Sequence, residues 1–394
     1  MIRIFMTGDN HIGKKFDRYG EIREVLSDSR KKSLRDAVRR AEEEQSDLFV
    51  ITGDLFDSVS GVRTGDVREV AELLAGFPGT VLVLPGNHDY YTGEEKVWRD
   101  FEKALDSMEN NIILLKEEAP LSLRIREEQV LVYPAICRSK HSEENALGWI
   151  KESLQKELSG QVPSSDDCEA GDTPVYKIGL AHGALEGLTP DMKNEYFRMT
   201  ESELLKIPVD LWLIGHTHIP YPALQEEKAL EGFRIFNAGT HEQTDLHNRT
   251  EGWCFLLTLD RAQAHTKVAA RRIRTGQVHF YDLTLSVKEG QPLEAQLRSF
   301  ADPLPDRSIL RLTLQGTLSP EEYEMRTRTW DTVLRRFLSY EIVDEELSES
   351  ITGERIRAEF PEIGFASAFL TALLPDPKEA QMAYELVKEC REEA

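Results

Sequence analysis

Short apolar runs recur along the first 240 residues, and each stops beside a polar residue able to bind a metal. Ile2–Met6 leads to Asp9, Leu48–Ile51 to Asp54, Val81–Leu84 to Asn87, Val175–Ala181 to His182 and Leu211–Ile214 to His216. Runs of this length bounded by glycine or proline predict buried strands. Between the first few the pattern turns helical. Over 29–45, Leu34, Val38 and Ala41 share one face, opposite Arg35, Arg39 and Arg40. Segments 64–76 and 95–108 also predict helices. Strand–helix alternation implies an α/β architecture, whose ligands gather beyond the carboxyl ends of the strands.

The pattern then changes. Val130–Tyr133, Phe233–Phe236, Cys254–Leu259, Lys267–Ile273 and Val278–Val287 read as strands, with no helices among the later ones, so a second sheet is expected. Residues 159–174 predict a polar loop. Residues 288–307 carry Gly290, Pro292, Pro303 and Pro305 and read as a domain boundary. Beyond them, Ile309–Leu314 predicts a strand and 319–338 a helix, with two short helices at 364–373 and 377–391.

At 394 residues the chain calls for two domains. No apolar run approaches the ~18 residues of a membrane span. The chain enters Ile2 without a signal-peptide pattern, and its four cysteines are scattered without a CxxC pair. Together these predict a reducing, cytoplasmic setting and no membrane. A net charge of −22 argues against a uniformly basic nucleic-acid surface. The charge is uneven, however. Residues 14–40 carry ten Lys/Arg against five Asp/Glu, and residues 261–274 hold five bases without an acid. Residues 341–394 carry fourteen acids against five bases.

The candidate chemistry lies at the strand ends. Asp9, His11, Asp54, Asn87, His182, His216 and His218 form an ordered set of oxygen and nitrogen donors. Mixed O/N ligation is suitable for Mn²⁺, Fe²⁺ or Zn²⁺. Asp9 and His11, two residues apart, would face the same way in extended backbone, as would His216 and His218. Asp54 is the natural bridge, since one carboxylate can serve two ions. Two divalent metals can clamp a phosphate through in-line attack, which implies phosphoester hydrolysis. His88 neighbours a ligand and is placed to protonate the leaving oxygen, with Asp89 expected to hold its tautomer. His241 and Tyr90 are candidates to touch substrate. The stretch Gly8–Lys15 nearly matches a phosphate-binding loop. Lys15 stands where that loop needs a hydroxyl, and Asp9 would meet the phosphate with like charge.

The motifs Gly8-Asp9-Asn10-His11, Gly53-Asp54-Leu55-Phe56-Asp57, Gly86-Asn87-His88-Asp89, Ala181-His182-Gly183 and Gly215-His216-Thr217-His218 resemble those of the calcineurin-like metallophosphoesterases. Within that superfamily the chain looks like the SbcD-type DNA repair nucleases, strongly over about residues 1–240. The resemblance implies a two-sheet metallophosphoesterase sandwich flanked by helices over 1–281. It also implies a smaller C-terminal α+β capping domain over 282–394. It places one metal on Asp9, His11, Asp54 and His218 and the second on Asp54, Asn87, His182 and His216. His88 takes the catalytic position, and manganese is the usual metal. Asp57 matches the bacterial form of its motif. The expected activity is exo- and endonucleolytic cleavage of DNA in double-strand break repair. The expected partners are an SbcC-type coiled-coil ATPase, docked through the C-terminal helices, and a second copy paired through helices near 64–108. A small-substrate phosphodiesterase or phosphatase on the same core is the alternative, followed by a non-catalytic scaffold, against which every ligand position being filled argues.

Overall fold

The computed structural model describes residues 1–159, 175–188, 193–223, 230–262, 265–288, 290–360 and 364–392. The polar loop expected over 159–174 falls, beyond Ser159, outside them. Two compact units divide at His279/Phe280.

The first unit contains two sheets. One has the order β4 (Ile112–Leu114), β3 (Thr80–Leu84), β2 (Leu48–Thr52), β1 (Ile2–Thr7), β11 (Trp253–Ala262), β12 (His265–Arg274), β9 (Leu230–Glu231). The other runs β10 (Ile235–Asn237), β8 (Leu211–Gly215), β7 (Val175–His182), β6 (Glu128–Ala135), β5 (Leu121–Ile125). Strands β1 to β4 are mutually parallel, as are β6, β7, β8 and β10. Their polar ends therefore point one way.

Strand alternation builds the layers. Ile2, Ile4, Met6, Leu48 and Val50 face Val130, Ile178, Leu180 and Leu213 of the opposite sheet, in a core that excludes water. Phe5, Phe49, Ile51, Val81 and Val83 face the other way, onto helices. These are α1 (Arg23–Glu43), α2 (Thr64–Ala75) and α3 (Lys96–Leu105), which bury Leu34, Ala37, Val38, Val67, Val70, Trp98 and Phe101. Helices α4 (Gly148–Leu158) and α5 (Glu201–Lys206) cover the outer face of the second sheet through Ile150, Leu154 and Leu204. Burying each such side chain contributes about 1.5–3 kcal/mol. The result is a two-sheet α/β sandwich flanked by helices.

The second unit has a three-stranded sheet, β13 (His279–Val287), β14 (Ser308–Leu318) and β15 (Ser339–Glu349), in that order. Helices α6 (Leu293–Ala301) and α7 (Pro320–Leu334) share its core with Leu310, Leu312 and Leu314. Ser319 caps α7, and Pro320 occupies its first turn. Three short helices follow: α8 (Gly353–Glu359), α9 (Phe365–Leu373) and α10 (Pro377–Glu392), packed around Ile356, Phe360, Leu370 and Tyr384. Residues 288–307, expected as a boundary, contain α6. Pro292 stands at its N-cap, where a missing N–H costs nothing. Strand β13, which a boundary after residue 281 would divide, belongs to the second unit's sheet. No helix among the described residues is long and apolar enough to cross a membrane.

Candidate metal centre

All seven donor residues lie at the carboxyl ends of β1, β2, β3, β7 and β8, where the two sheets' loops meet. The backbone there is not extended, contrary to expectation. Asp9 (φ 49°), His11 (φ 44°), Asp54 (φ 52°) and His216 (φ 92°) are all left-handed. Such conformations are costly for residues with a Cβ and gather at functional sites. Here the surrounding loops hold them. Asp9 N donates to Gly53 O (3.1 Å), His11 N to Asp54 O (2.9 Å) and Ile12 N to Leu55 O (2.9 Å). The Asp9 carboxylate accepts from His216 N (3.0 and 3.1 Å), and Asp54 Oδ1 accepts from His88 N (2.8 Å).

Two glycines make room for the ligands. A Cβ on Gly53 (φ 100°) would strike the His182 ring, and one on Gly86 would strike the Asp54 carboxylate and amide. We expect Gly53→Ala to displace His182 and weaken metal binding by about 10–100-fold, the scale seen when support of a ligand is lost. Isothermal titration with Mn²⁺ checks this.

The donors converge in two groups that meet at Asp54. In the first, His11 Nε2 lies 3.1 Å from His218 Nε2, and His218 Nε2 lies 3.7 Å from Asp9 Oδ1. In the second, Asn87 Oδ1 lies 3.0 Å from both His182 Nε2 and His216 Nδ1. Asp54 turns Oδ2 to His11 Nε2 (3.7 Å) and Oδ1 to His182 Nε2 (3.4 Å).

The donor chemistry fits cations. His182 Nδ1 donates to the Thr52 carbonyl (2.8 Å), so the neutral ring carries its lone pair on Nε2. The Asn87 amide nitrogen donates to Lys140 O (3.4 Å), which turns its oxygen to the rings. Two acceptors thus face each other at 3.0 Å, an arrangement that a positive ion between them would satisfy.

The protonation balance divides the donors. Burial, and then His182, push His216 down to about 3. Burial, then His11, hold His218 well below the ordinary imidazole value, and burial also lowers His11. Although burial opposes its charge, His182 and His11 hold Asp54 well below the usual carboxylate range. Burial drives Asp9 up to about 8, with Asp54 adding repulsion, and burial is outweighed at His182 by Asp54, whose charge lifts it to about 9. His11, His216 and His218 as neutral rings and Asp54 as a carboxylate are already in the forms that ligate metal, whereas Asp9 and His182 would release protons as a cation binds.

The other expected residues are placed as follows. The half-buried His88 ring sets Nδ1 3.1 Å from the Asp57 carbonyl and lies edge-on to His11, with centroids 4.8 Å apart. Asp89 does not hold the His88 tautomer. It is buried, and its carboxylate accepts from Phe56 N (2.9 Å) and Gly86 N (2.6 Å), bracing the two ligand loops. Burial, then the Asp54 charge, push it up to about 7. His241 is not a substrate contact either. It is fully buried behind the site, with Nε2 2.8 Å from Arg30 O. Tyr90 is half-buried beside His88 in sequence, with no hydrogen bond into the ligand set.

Three contributors lay outside the sequence expectation. Arg30 is buried beneath the Asp9 loop and donates to Asn10 O (2.6 Å), Asp9 O (3.0 Å) and Glu242 O (3.2 Å). Its signal was present: Arg30 precedes Leu34 by one turn, so it lies on the apolar face of α1. Tyr196 lies against His216, with ring centroids 5.1 Å apart, and His141 against Tyr196 at 5.2 Å. No pattern in the sequence marks either.

Comparison with known proteins agrees with this geometry. The family model for calcineurin-like phosphoesterases matches residues 2–220. The uncharacterized metallophosphoesterase YhaO of Bacillus subtilis is 24% identical over 191 residues, which is 47% of this chain and 40% of that protein. The chain thus aligns with less than half the length of that relative. Remote likeness extends to three solved structures. YfkN of Bacillus subtilis has a TM-score of 0.41 and 12% identity, covering 70% of this chain and 90% of that one. TT1561 of Thermus thermophilus has a TM-score of 0.38 and 13% identity, covering 65% and 93%. A dimetal phosphatase from Danio rerio has a TM-score of 0.32 and 12% identity, covering 61% and 87%.

Proposed function

The chain belongs to the calcineurin-like phosphoesterase family, and on that premise we propose that it is a manganese-dependent DNA nuclease of the SbcD type. In this reading it acts in double-strand break repair, as a homodimer, with an SbcC-type coiled-coil ATPase. The observation that carries the hydrolytic part is the meeting of two donor groups at Asp54, with His88 beside them.

When bound, a pair of divalent ions supplies Lewis-acid polarisation of the phosphoryl group. The chain's own residues do the rest. Asp54 and Asp9 supply negative charge, and Asn87 and four imidazoles supply neutral donors. Because a carbonyl only accepts, His88 Nδ1 carries its proton towards Asp57 O and leaves Nε2 free. As water oxygen bonds to phosphorus, the phosphorus–oxygen bond to the leaving strand breaks. The donating form of His88 is the imidazolium: its second proton, on Nε2, passes to that oxygen, the attacking water releases its own proton to solvent, and the ring is left neutral with Nδ1–H on Asp57 O.

Three features support a polymeric substrate and a protein partner. A cleft of about 350 Å³ adjoins the His11 loop and is bordered by five bases, Lys14, Lys15, Arg23, Lys31 and Arg63, and by four acids, Asp17, Glu24, Asp28 and Asp66. Lys31 is neutralised by Asp66 (2.9 Å) and Glu69 (2.7 Å), but no ion pair engages Lys15, Arg23 or Arg63 among the described residues. The second unit, 280–394, lies wholly beyond the matched residues. Phe365 and Phe369 on α9, and Met382 and Leu386 on α10, are exposed one turn apart on their own helices. A coiled coil's apolar stripe would cover such side chains. For the dimer, α2 and α3 present no large exposed apolar residue.

One observation favours the small-substrate reading. The basic strip at 261–274 is neutralised: Arg261 meets Asp210 (3.9 Å), Lys267 meets Glu231 (3.4 Å) and Arg274 meets Glu251 (2.8 Å). Arg271 is paired with Glu44, and Arg272 lies over the Trp253 ring (4.9 Å).

The test is cleavage of end-labelled single- and double-stranded DNA with Mn²⁺, beside bis(p-nitrophenyl) phosphate. DNA cleavage is expected. Turnover of the small diester without any DNA cleavage selects the alternative. The double variant Lys15→Glu/Arg23→Glu is expected to weaken DNA cleavage by about tenfold or more, with small-diester turnover unchanged, because only a strand reaches the cleft.

A further inference from the structure

We infer that Asp57 is a positioning residue that serves both halves of the centre, its carboxylate steering the ligand His11 and its carbonyl steering His88. This rests on the dinuclear reading above and adds to it an asymmetry between the two ions.

Asp57 lies in the loop between β2 and α2, and its amide donates to Ile12 O (3.0 Å), which ties it to the His11 loop. Asp57 Oδ1 lies 3.4 Å from His11 Nδ1, on the side of the ring opposite the donor cluster. That nitrogen is buried and has no hydrogen-bond partner, so the carboxylate is the group within reach of it. On its other side Oδ1 is 3.9 Å from Lys14 Nζ. Meanwhile the Asp57 carbonyl receives His88 Nδ1 at 3.1 Å. The two rings it steers stand edge to face.

A carboxylate beside Nδ1 keeps the proton there, presents the Nε2 lone pair to the metal and raises its basicity. Each of the other supported rings uses a carbonyl instead: His182 on Thr52 O and His88 on Asp57 O. A carbonyl fixes a tautomer without adding charge. The ion held by Asp9, His11 and His218 therefore depends on Asp57, and the ion held by Asn87, His182 and His216 does not. Side-chain substitution leaves the Asp57 carbonyl in place, so His88 stays oriented.

The test is Mn²⁺ titration of the full chain by calorimetry and electron paramagnetic resonance, with wild type, Asp57→Ala and Asp57→Asn. Circular dichroism confirms that each is folded. Wild type should bind two ions and show a spin-coupled signal. Asp57→Ala should keep one site at wild-type affinity and lose about 10–100-fold at the other. At one to two equivalents its spectrum becomes that of an isolated ion. Asp57→Asn, whose amide oxygen still accepts from Nδ1, should fall between. Saturating Mn²⁺ should restore the kcat for DNA cleavage in both variants. The inference is overturned if Asp57→Ala binds both ions as wild type does, if it loses both equally, or if saturating metal fails to restore kcat. If wild type itself binds fewer than two ions, the dinuclear reading fails first.

Discussion

His88→Ala should cut phosphodiester hydrolysis by about a hundredfold to ten-thousandfold, the usual contribution of a positioned general acid, while both metal affinities stay at wild-type values. The separation follows from placement. His88 Nδ1 is committed to the Asp57 carbonyl at 3.1 Å, and in the proposed ligand assignment His88 holds neither ion. Its backbone amide holds Asp54 Oδ1 (2.8 Å), and alanine keeps that amide. The ligands therefore stay where they are, and only the proton for the leaving oxygen is lost. His88→Gln is a useful companion. It can donate a hydrogen bond but cannot transfer a proton, so it should remain as slow as alanine. Single-turnover cleavage with calorimetric Mn²⁺ titration of the same preparations checks the pair. Cleavage by His88→Ala within about threefold of wild type would remove the residue from proton transfer.

Asp54→Asn should abolish activity by a different route, through loss of metal. Asp54 faces both donor groups, Oδ2 towards His11 (3.7 Å) and Oδ1 towards His182 (3.4 Å). Without its charge, the first group retains one carboxylate, Asp9, and the second retains none. An amide also gives only one good acceptor atom, so it cannot serve two ions. Cleavage should fall to background, and the second ion should no longer bind at millimolar Mn²⁺. Metal analysis after gel filtration checks this. Two tightly held ions in Asp54→Asn would contradict the bridging role.

The strand ends were legible because parallel strands buried on both faces are continuous apolar runs, whose last polar neighbour stands out. Less visible was how the chain turns once it leaves a strand. Asp9 and His11 converge through left-handed backbone held by the Asp54 loop, a contact more than forty residues away in sequence. The expected role of Asp89 falls instead to the Asp57 carbonyl for the same reason. Adjacency to His88 suggested Asp89, but folding turns that carboxylate to Phe56 N and Gly86 N and brings the Asp57 carbonyl in. Arg30 sat on the apolar face of a correctly placed helix and was missed because a buried arginine is rare. Strand β15 was hidden by its charge. It is an edge strand, most of it only part-buried, so its acids break the alternation that marks a covered strand.

The most direct measurement of the central claim is anomalous diffraction at the manganese edge from crystals of the full chain grown with Mn²⁺. The account expects two peaks about 3.5–4 Å apart, one among Asp9, His11 and His218, the other among Asn87, His182 and His216, with Asp54 between them. A single peak, or two peaks that do not share Asp54, would contradict it.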